Sequence, residues 1–479
     1  MLDQNQKAAL REIYMYKKLF AASFLTAIIV LGLLFTSETV AQNGAAPPLT
    51  NDQITAKINE YMDAVLRVDG FSGTILVARD GKPIVSKGYG MANIELNLPN
   101  APDNVFRLGS VTKQFTGMSI AMLQERGKLN VSDPMCKYIA ECPDAWKPIT
   151  INQLLRHTSG VTNYTAFPDF ARTTVLPTTT DEMVARLKTA PLDFEPGAKM
   201  SYSNSGYYLL GVILEKVSGK TYADFLQEHI FTPLGMKQTY YDDPLKIIMH
   251  RAAGYQKQAG KIINAAYTDM SVPYSAGSLC STTGDLLIWD QALYTEKLVS
   301  KKSLNEIFTP EKGDSGYGYG WGLGKKFGHK AISHGGGIYG FATDIARYPD
   351  DHVTVVVLSN IQAAPAGVVS GNLAAIVFGA PYEIPKERKE IAVDVKILEK
   401  YVGEYKIGTN IIIAVTLENG KLMAQLGGQT KFALLPETET QFFSRDVNLT
   451  ITFNKDSKGE VTGFNLKQGG SDNPAQKVK

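Results

Sequence analysis

The sequence has few cysteines and histidines and almost no excess of basic over acidic residues. It has three cysteines and six histidines in 479 residues and contains neither a C-x-x-C pair nor an H-E-x-x-H motif, so a zinc site has no motif support. Its 49 basic and 47 acidic residues give a net charge of +2 without a long block of one sign, so charge gives no case for nucleic-acid binding. We expect no metal, no cofactor and no nucleic-acid partner.

The scarcity of cysteine also bears on the cellular compartment. Cys136 and Cys142 are close enough in the chain to form a small-loop disulfide in an oxidising space, and Cys280 would then be left over. This arrangement fits an exported protein without proving export.

Long apolar runs are also scarce, and the one near the start extends from Leu19 to Phe35. Lys17 and Lys18 precede it, and the small-residue sequence Thr39-Val40-Ala41 follows it. The run is short for a membrane span, so we expect residues 1–41 to be a cleaved signal peptide, with an uncleaved anchor as the alternative.

The start of the chain refines this expectation. Met15 opens a more conventional leader than Met1, and no cysteine follows the apolar run as a site for lipid attachment. We therefore expect a periplasmic or extracellular protein that contacts a membrane only if the leader stays uncleaved.

The length and patterning predict two folded domains. A chain of this length can form two or three domains with substantial cores. After Asn51, apolar residues recur at helical spacing. Turns at Asp80-Gly81 and Asn419-Gly420 predict one β-hairpin towards each end of the chain. The predicted divisions are a linker at 42–51, a first domain at 52–384, a charged linker at 385–396, and a small all-β module, an antiparallel barrel, at 397–479.

The central motif is Ser110-Val-Thr-Lys113, the only S-x-x-K in the chain. Apolar residues at helical spacing follow it, which predicts that Ser110 lies at or next to a helix N-terminus with Lys113 one turn later on the same side. A lysine with a lowered pKa can take the proton of a serine hydroxyl, and the helix N-terminus can stabilise an oxyanion. For an isolated S-x-x-K, a serine N-cap followed by a solvated lysine is the more common explanation.

Two later motifs can complete such a site. Tyr202-Ser-Asn204 is the only Y-x-N and lies in a polar loop before an apolar helix. A tyrosine whose pKa is lowered by cations can act as base and acid, and an asparagine can hydrogen-bond a substrate amide. His334 precedes a glycine run on a predicted strand, where a ligand can approach the backbone. We assign His157, at the end of a short helix, to packing or hydrogen bonding and leave it outside the site.

Taken together and in this order, the three motifs resemble the serine β-lactamase and penicillin-binding-protein superfamily, in particular its class C β-lactamase-like branch. The resemblance covers roughly residues 52–380. It implies an α/β (α+β) fold, with an antiparallel sheet flanked by helices and a helical subdomain. The all-β tail resembles a lipocalin-like domain that is often appended to such hydrolases.

The resemblance also implies a role for each site residue. Ser110 would be the acylated nucleophile, Lys113 its proton acceptor, and Tyr202 the group that passes the proton to the leaving group. Substrate would be held by Asn204, His334, Gly336 and Gly337, and the backbone N–H groups of Ser110 and Gly337 would form the oxyanion hole. His334 stands where β-lactamases typically have the lysine of K-T-G, so a permanent cation for a β-lactam carboxylate is missing.

We therefore expect an exported serine hydrolase that acts through a Ser110 acyl-enzyme. Its expected substrates are D-amino-acid peptides or related amides, as in D-Ala-D-Ala carboxypeptidases and D-aminopeptidases, including peptidoglycan fragments, with weak action on β-lactams. The alternatives are a periplasmic esterase that uses the same site, and a non-catalytic penicillin- or peptidoglycan-binding protein.

Overall fold

The computed structural model describes residues 49–258, 260–310, 316–408, 411–426, 431–447, 449–468 and 471–478. The predicted signal peptide and its cleavage site lie outside these ranges. Among the residues that are described, no helix is both long and apolar enough to cross a lipid bilayer.

Thirteen α-helices lie within the described ranges. In chain order they are α1 Asn51–Asp69, α2 Thr112–Glu125, α3 Ile151–Leu155, α4 Phe170–Thr173, α5 Thr180–Lys188, α6 Asn204–Ser218, α7 Tyr222–Leu226, α8 Thr232–Leu234, α9 Tyr274–Gly277, α10 Thr283–Ala292, α11 Lys301–Ile307, α12 Ala366–Phe378 and α13 Val395–Glu399.

Strands precede, interrupt and follow these helices. In the first part of the chain they are β1 Gly73–Arg79, β2 Lys82–Tyr89, β3 Met91–Asn93, β4 Leu98–Pro99, β5 Phe106–Arg107, β6 Tyr240–Tyr241, β7 Tyr255–Gln258, β8 Lys261–Asn264, β9 Leu279–Ser281, β10 Gly322–Lys326, β11 His329–Ile338, β12 Phe341–Tyr348 and β13 Val353–Ser359. In the last part they are β14 Gly403–Ile407, β15 Ile411–Glu418, β16 Lys421–Leu426, β17 Phe432–Pro436, β18 Gln441–Phe443, β19 Leu449–Lys455, β20 Val461–Gln468 and β21 Ser471–Lys477.

The central sheet has the strand order β10-β11-β12-β13-β1-β2, and every neighbouring pair is antiparallel. The predicted β1–β2 hairpin is present, and Asp80 and Gly81 in its turn both have positive φ, as its two-residue turn requires. β1 also pairs with β13, which places Gly73 opposite Ser359. The sheet is thus assembled from the two ends of the first domain.

Helices cover both faces of this sheet. In β1, Leu76 and Ala78 belong to one apolar cluster, whereas Ile75 and Val77 belong to another. Side chains alternate across a strand, so a strand buried on both faces is a continuous apolar run rather than an alternating one. Helices α1 and α12 pack on one face, and α2, α6 and α10 contribute to the cluster on the other.

The first domain contains all three cysteines. Cys136 and Cys142 form a disulfide with their Cα atoms 5.5 Å apart, and Cys280 is a buried free thiol. The sequence left this pairing open, and the structure decides it.

The eight strands β14–β21 form a closed antiparallel barrel, as the sequence predicted. Aromatic rings pack against one another in its core, including a stacked pair at 4.2 Å between ring centroids; the rings belong to Tyr401, Tyr405, Phe442, Phe453 and Phe464. The antiparallel sheet between helices and the separate barrel confirm the predicted fold class. The exact limits of the predicted domains and linkers stay predictions.

Candidate active site

Ser110 lies in a sharp turn between β5 and α2, and this turn packs against β11. Gly109 has a φ of +55°, and the single 3-10 turn Gly109–Val111 runs directly into α2. A Cβ atom on Gly109 would lie 2.9 Å from the backbone nitrogen of Gly337. The turn is therefore in close backbone contact with the glycine strand, and Ser110 is at the helix start, where the sequence placed it.

Lys113 is buried one turn after Ser110. Its Nζ lies 3.1 Å from Ser110 Oγ, 2.8 Å from Asn204 Oδ1 and 2.9 Å from the carbonyl oxygen of Ala276. The two carbonyl oxygens can only accept, whereas the serine hydroxyl can donate. A neutral amine can thus donate its two hydrogens to Asn204 and Ala276 and direct its lone pair at the Ser110 hydroxyl.

Burial favours this neutral form. Removing the Lys113 ammonium from water lowers its pKa well below its usual range. The side chain of Ser110 is partly exposed, so the hydroxyl is open to a substrate while its proton acceptor is shielded from water.

Asn204 and Tyr202 flank this pair from the start of α6. Asn204 is the first residue of the helix, and both its backbone nitrogen and its Nδ2 face Asn163 Oδ1, at 3.2 and 3.4 Å. The Tyr202 ring lies under Lys113 Nζ, 4.9 Å from its centroid. The Y-x-N motif therefore lies beside the S-x-x-K motif.

The pKa of Tyr202 is raised rather than lowered. Burial raises the pKa of its hydroxyl above the ordinary value, and a hydrogen bond with Ser110 offsets part of the rise. The hydroxyl is therefore protonated at neutral pH, which makes Tyr202 suited to donate a proton rather than to accept the first one. The sequence analysis considered only how nearby cations would lower this pKa, and the loss of water around the hydroxyl acts in the other direction.

His334 lies on β11 at the edge of the same site. Its ring centroid is 6.1 Å from that of Tyr202, and its Nε2 lies 2.7 Å from the Tyr317 hydroxyl. Burial is the main cause that lowers the pKa of His334 to about 4. The ring is neutral at pH 7 and supplies no positive charge there.

The glycines after His334 allow two backbone segments to approach closely. A Cβ on Gly336 would lie 2.0 Å from the carbonyl oxygen of Leu108 and 2.3 Å from Thr343 Oγ1. Thr343 Oγ1 itself donates to Leu108 O at 2.7 Å. Gly336 is thus required so that β11 can contact the segment that carries Ser110, while a Cβ on Gly337 would meet nothing within 4 Å. That Gly336 and Gly337 contact a substrate stays a prediction.

Several residues that the sequence analysis did not select also line the site. Ala276 contributes a backbone oxygen to Lys113, Asn163 holds Asn204, and Tyr317 contacts His334. Tyr317 belongs to a Tyr-Gly-Tyr-Gly-Trp sequence that was a visible signal of close packing. A backbone carbonyl such as that of Ala276 has no sequence signature.

His157, which the sequence analysis left outside the site, contacts it directly. Its ring centroid lies 4.3 Å from that of Tyr202 and 4.6 Å from that of Tyr317. It does make the helix-end packing and hydrogen bonds that were expected, with its Nδ1 accepting from the backbone N–H of Ser203 at 3.1 Å.

The fold and the motif geometry define a class of protein, and comparison with known families agrees. The beta-lactamase family model matches residues 56–378, and a model described as a domain of unknown function (DUF3471) matches residues 387–477. The chain belongs to the beta-lactamase family of serine hydrolases, as the motifs predicted, with an additional C-terminal barrel.

Three individual proteins show what this chain is similar to within the family. Penicillin-binding protein 4* of Bacillus subtilis is 32% identical over 435 residues, which cover 85% of this chain and 95% of that protein. A D-aminopeptidase of Gluconobacter oxydans is 26% identical over 70% of this chain and 64% of its own length. The crystal structure of a D-stereospecific amidohydrolase from Streptomyces aligns with a TM-score of 0.59 and 25% identity, covering 70% of this chain and all of that one.

Proposed function

We propose that the protein is an exported serine hydrolase that forms an acyl-enzyme on Ser110 and acts on D-amino-acid peptides or related amides. The observation that carries the proposal is the contact of the buried Lys113 amine with the Ser110 hydroxyl, at 3.1 Å, while two carbonyl oxygens occupy the other side of the amine. A serine hydroxyl becomes an effective nucleophile when a positioned base takes its proton.

The reaction proceeds in two steps. Ser110 Oγ attacks the substrate carbonyl carbon as its proton passes to Lys113 Nζ, and the backbone N–H groups of Ser110 and Gly337 stabilise the oxyanion. The C–N bond then breaks, with the proton passing through the Tyr202 hydroxyl to the leaving amine. In the second step water attacks the acyl carbon as its proton passes to Lys113 Nζ, the bond between the acyl carbon and Ser110 Oγ breaks, and the proton returns to Oγ as the acid product leaves.

The proposed substrate class rests on two supports. The names of relatives mention D-aminopeptidase and D-stereospecific amidohydrolase activities, which makes D-configured amides, including peptidoglycan fragments, the first class to test. Neutral His334 provides no fixed cation for a substrate carboxylate, so β-lactams are expected to react weakly.

That same neutral histidine favours a second candidate on the same site, an esterase for uncharged acyl groups. Esters have better leaving groups than amides and depend less on protonation by Tyr202. A third hypothesis, a penicillin- or peptidoglycan-binding protein without turnover, requires that Ser110 bind or acylate without deacylation.

Export is part of the proposal and is supported by the leader alone. The apolar run Leu19–Phe35 follows Lys17 and Lys18, and small residues end at Ala41. N-terminal sequencing of the protein recovered from the producing cell tests it: a mature chain that begins at Gln42 supports cleavage, and an intact leader in the membrane fraction supports the anchor.

The decisive experiment on function is intact-mass spectrometry of residues 42–479 incubated with a penicillin, with Ser110→Ala as the matched control. A persistent adduct that maps to Ser110 and is absent in the variant would establish the nucleophile and favour slow deacylation. The same samples are then assayed with D-alanine p-nitroanilide, its L-enantiomer and p-nitrophenyl acetate.

The outcomes separate the candidates. Turnover of the D-anilide over the L-anilide supports the amidase proposal, and turnover of the ester alone supports the esterase. An adduct without turnover of any substrate supports the binding protein. If wild type and Ser110→Ala behave alike throughout, the proposal is wrong.

A further inference from the structure

His157 combines features that a simple helix end does not need. It follows α3 with a φ of +59°, its N–H bonds to the carbonyl oxygen of Leu154, and the N–H of Thr158 bonds to that of Gln153. This is the Schellman arrangement, in which the left-handed position is usually a glycine. A side chain there is strained by about 1 kcal/mol or more, so the histidine is expected to contribute something that glycine cannot.

Residue 157 accepts a hydrogen bond on either side of Tyr202, and the second of these bonds needs the histidine side chain. Its carbonyl oxygen accepts from the N–H of Ser201 at 2.8 Å, and its Nδ1 accepts from the N–H of Ser203 at 3.1 Å. The ring also packs on the Tyr202 ring, 4.3 Å away between centroids. One residue thus holds the backbone before Tyr202, the backbone after it, and the face of its ring.

Tyr202 depends on such support because it lies outside regular structure. No helix or strand covers residues 189–203, and α6 begins only at Asn204. The other ties of this loop reach the same neighbourhood: Gly197 N–H donates to Thr158 O at 2.7 Å, and Ser203 Oγ donates to Val161 O at 3.0 Å. Residues 157–161 therefore hold this loop in place through these hydrogen bonds.

The protonation state of His157 suits this task. Because Nδ1 accepts a hydrogen bond, the neutral ring carries its proton on Nε2. Burial and the neighbouring Lys113 and His334 lower its pKa well below the usual range, so the accepting nitrogen stays free of a proton at neutral pH.

We propose that His157 is a positioning residue that fixes Tyr202 against Ser110 and Lys113 by clamping both flanking peptide N–H groups. The inference rests on the proposed acyl-enzyme function. It assigns His157 no contact with substrate and no proton transfer.

Two variants at one position test the clamp. His157→Gly relieves the strain of the left-handed conformation but removes the side-chain acceptor for the Ser203 N–H. His157→Asn tolerates the same φ, and its Oδ1 is separated from Cα by the same number of bonds as the Nδ1 of histidine. We expect His157→Gly to acylate Ser110 about 100-fold more slowly, because a misplacement of about 1 Å costs that much. His157→Asn should stay within about 10-fold of wild type, and KM should change little in either variant.

A second readout is independent of catalysis. In ¹⁵N NMR, wild type should show His157 as the neutral Nε2–H tautomer at neutral pH, with slow hydrogen exchange at the Ser203 amide. His157→Gly should lose that protection, His157→Asn should keep it, and both should unfold cooperatively in urea.

The outcomes distinguish this inference from the proposed function. If wild type forms the Ser110 adduct and His157→Gly reacts within 3-fold of it, the positioning role is wrong. If wild type forms no adduct, the proposed function fails, and the clamp is then judged by NMR alone. Fast exchange of the Ser203 amide or an Nδ1–H tautomer in wild type would overturn it.

Discussion

Replacing Gly336 by alanine should separate the glycine strand from the turn that carries Ser110. The new Cβ would lie 2.0 Å from Leu108 O, whereas ordinary contacts begin at 3.4 Å, so the two backbones must move apart by about 1.4 Å. The hydrogen bond from Thr343 to Leu108 would be strained in the same step. Because Leu108 lies two residues before Ser110, this movement displaces the nucleophile.

The magnitude follows from that distance. A displacement of about 1 Å in a catalytic group costs about 100-fold in rate, so kcat/KM should fall by at least that factor. Overpacking of the buried contact should lower the free energy of unfolding by about 1–3 kcal/mol, which leaves the protein folded enough to assay.

The matched control is Gly335→Ala on the same strand. There the new Cβ would meet its nearest atoms at 3.6 and 3.7 Å, which is ordinary contact, so activity should stay within about 3-fold and stability nearly unchanged. Turnover of the best substrate and urea unfolding are measured for both variants. If Gly336→Ala retains more than a third of the wild-type kcat/KM, the close approach of the two segments does not position Ser110 as argued.

Three further predictions concern stability. Because the pKa of His334 is lowered to about 4 in the folded protein, its contribution to stability is complete above about pH 6.5 and is lost as the pH falls towards 4. Between pH 7 and 5, urea titrations should therefore show the free energy of unfolding of wild type falling by up to about 2 kcal/mol more than that of His334→Gln. Equal losses in the two proteins would contradict the pKa shift. Reducing the Cys136–Cys142 disulfide, which closes a short loop, should cost about 2 kcal/mol in urea unfolding without abolishing Ser110 labelling, so loss of labelling in the folded reduced protein would count against it. Arg347→Met leaves the carboxylate of Asp290 unpaired in the core, where both partners are at most 2% exposed, and should cost about 3–5 kcal/mol; a loss below 1 kcal/mol would show that the ion pair contributes little.

The sequence predicted best what depends on short spacings. Ser110 and Lys113 are one helical turn apart, so their proximity follows from the helix alone. The Asp80-Gly81 and Asn419-Gly420 turns fix two hairpins through the backbone conformations that they allow. The remaining site residues could be brought together only by resemblance, because nothing local in the sequence joins Tyr202 or His334 to Ser110.

What the sequence could not give depends on burial and on backbone atoms. The carbonyl oxygen of Ala276 contacts Lys113 from 163 residues away, and any residue type can supply such an atom. The pKa of Tyr202 is raised because the folded chain removes water from around its hydroxyl, and this effect depends on the three-dimensional structure. The sequence showed only that His157 follows a short helix. Its side-chain partner Ser203 lies in a loop 46 residues later in the chain, and no local pattern indicates that contact.

The long sequence separations around Ser110 also bear on when reactivity can arise during biosynthesis. Asn204 and Ala276 reach Lys113 across 91 and 163 residues, and Thr343 reaches Leu108 across 235. The sheet itself closes only when Ser359 meets Ser72, 287 residues earlier, and such nonlocal pairings form late and slowly. A nascent chain therefore contains the serine and the lysine before the contacts that set their protonation have formed. Labelling of Ser110 would then report completed folding, and the serine would be unreactive until the domain has folded.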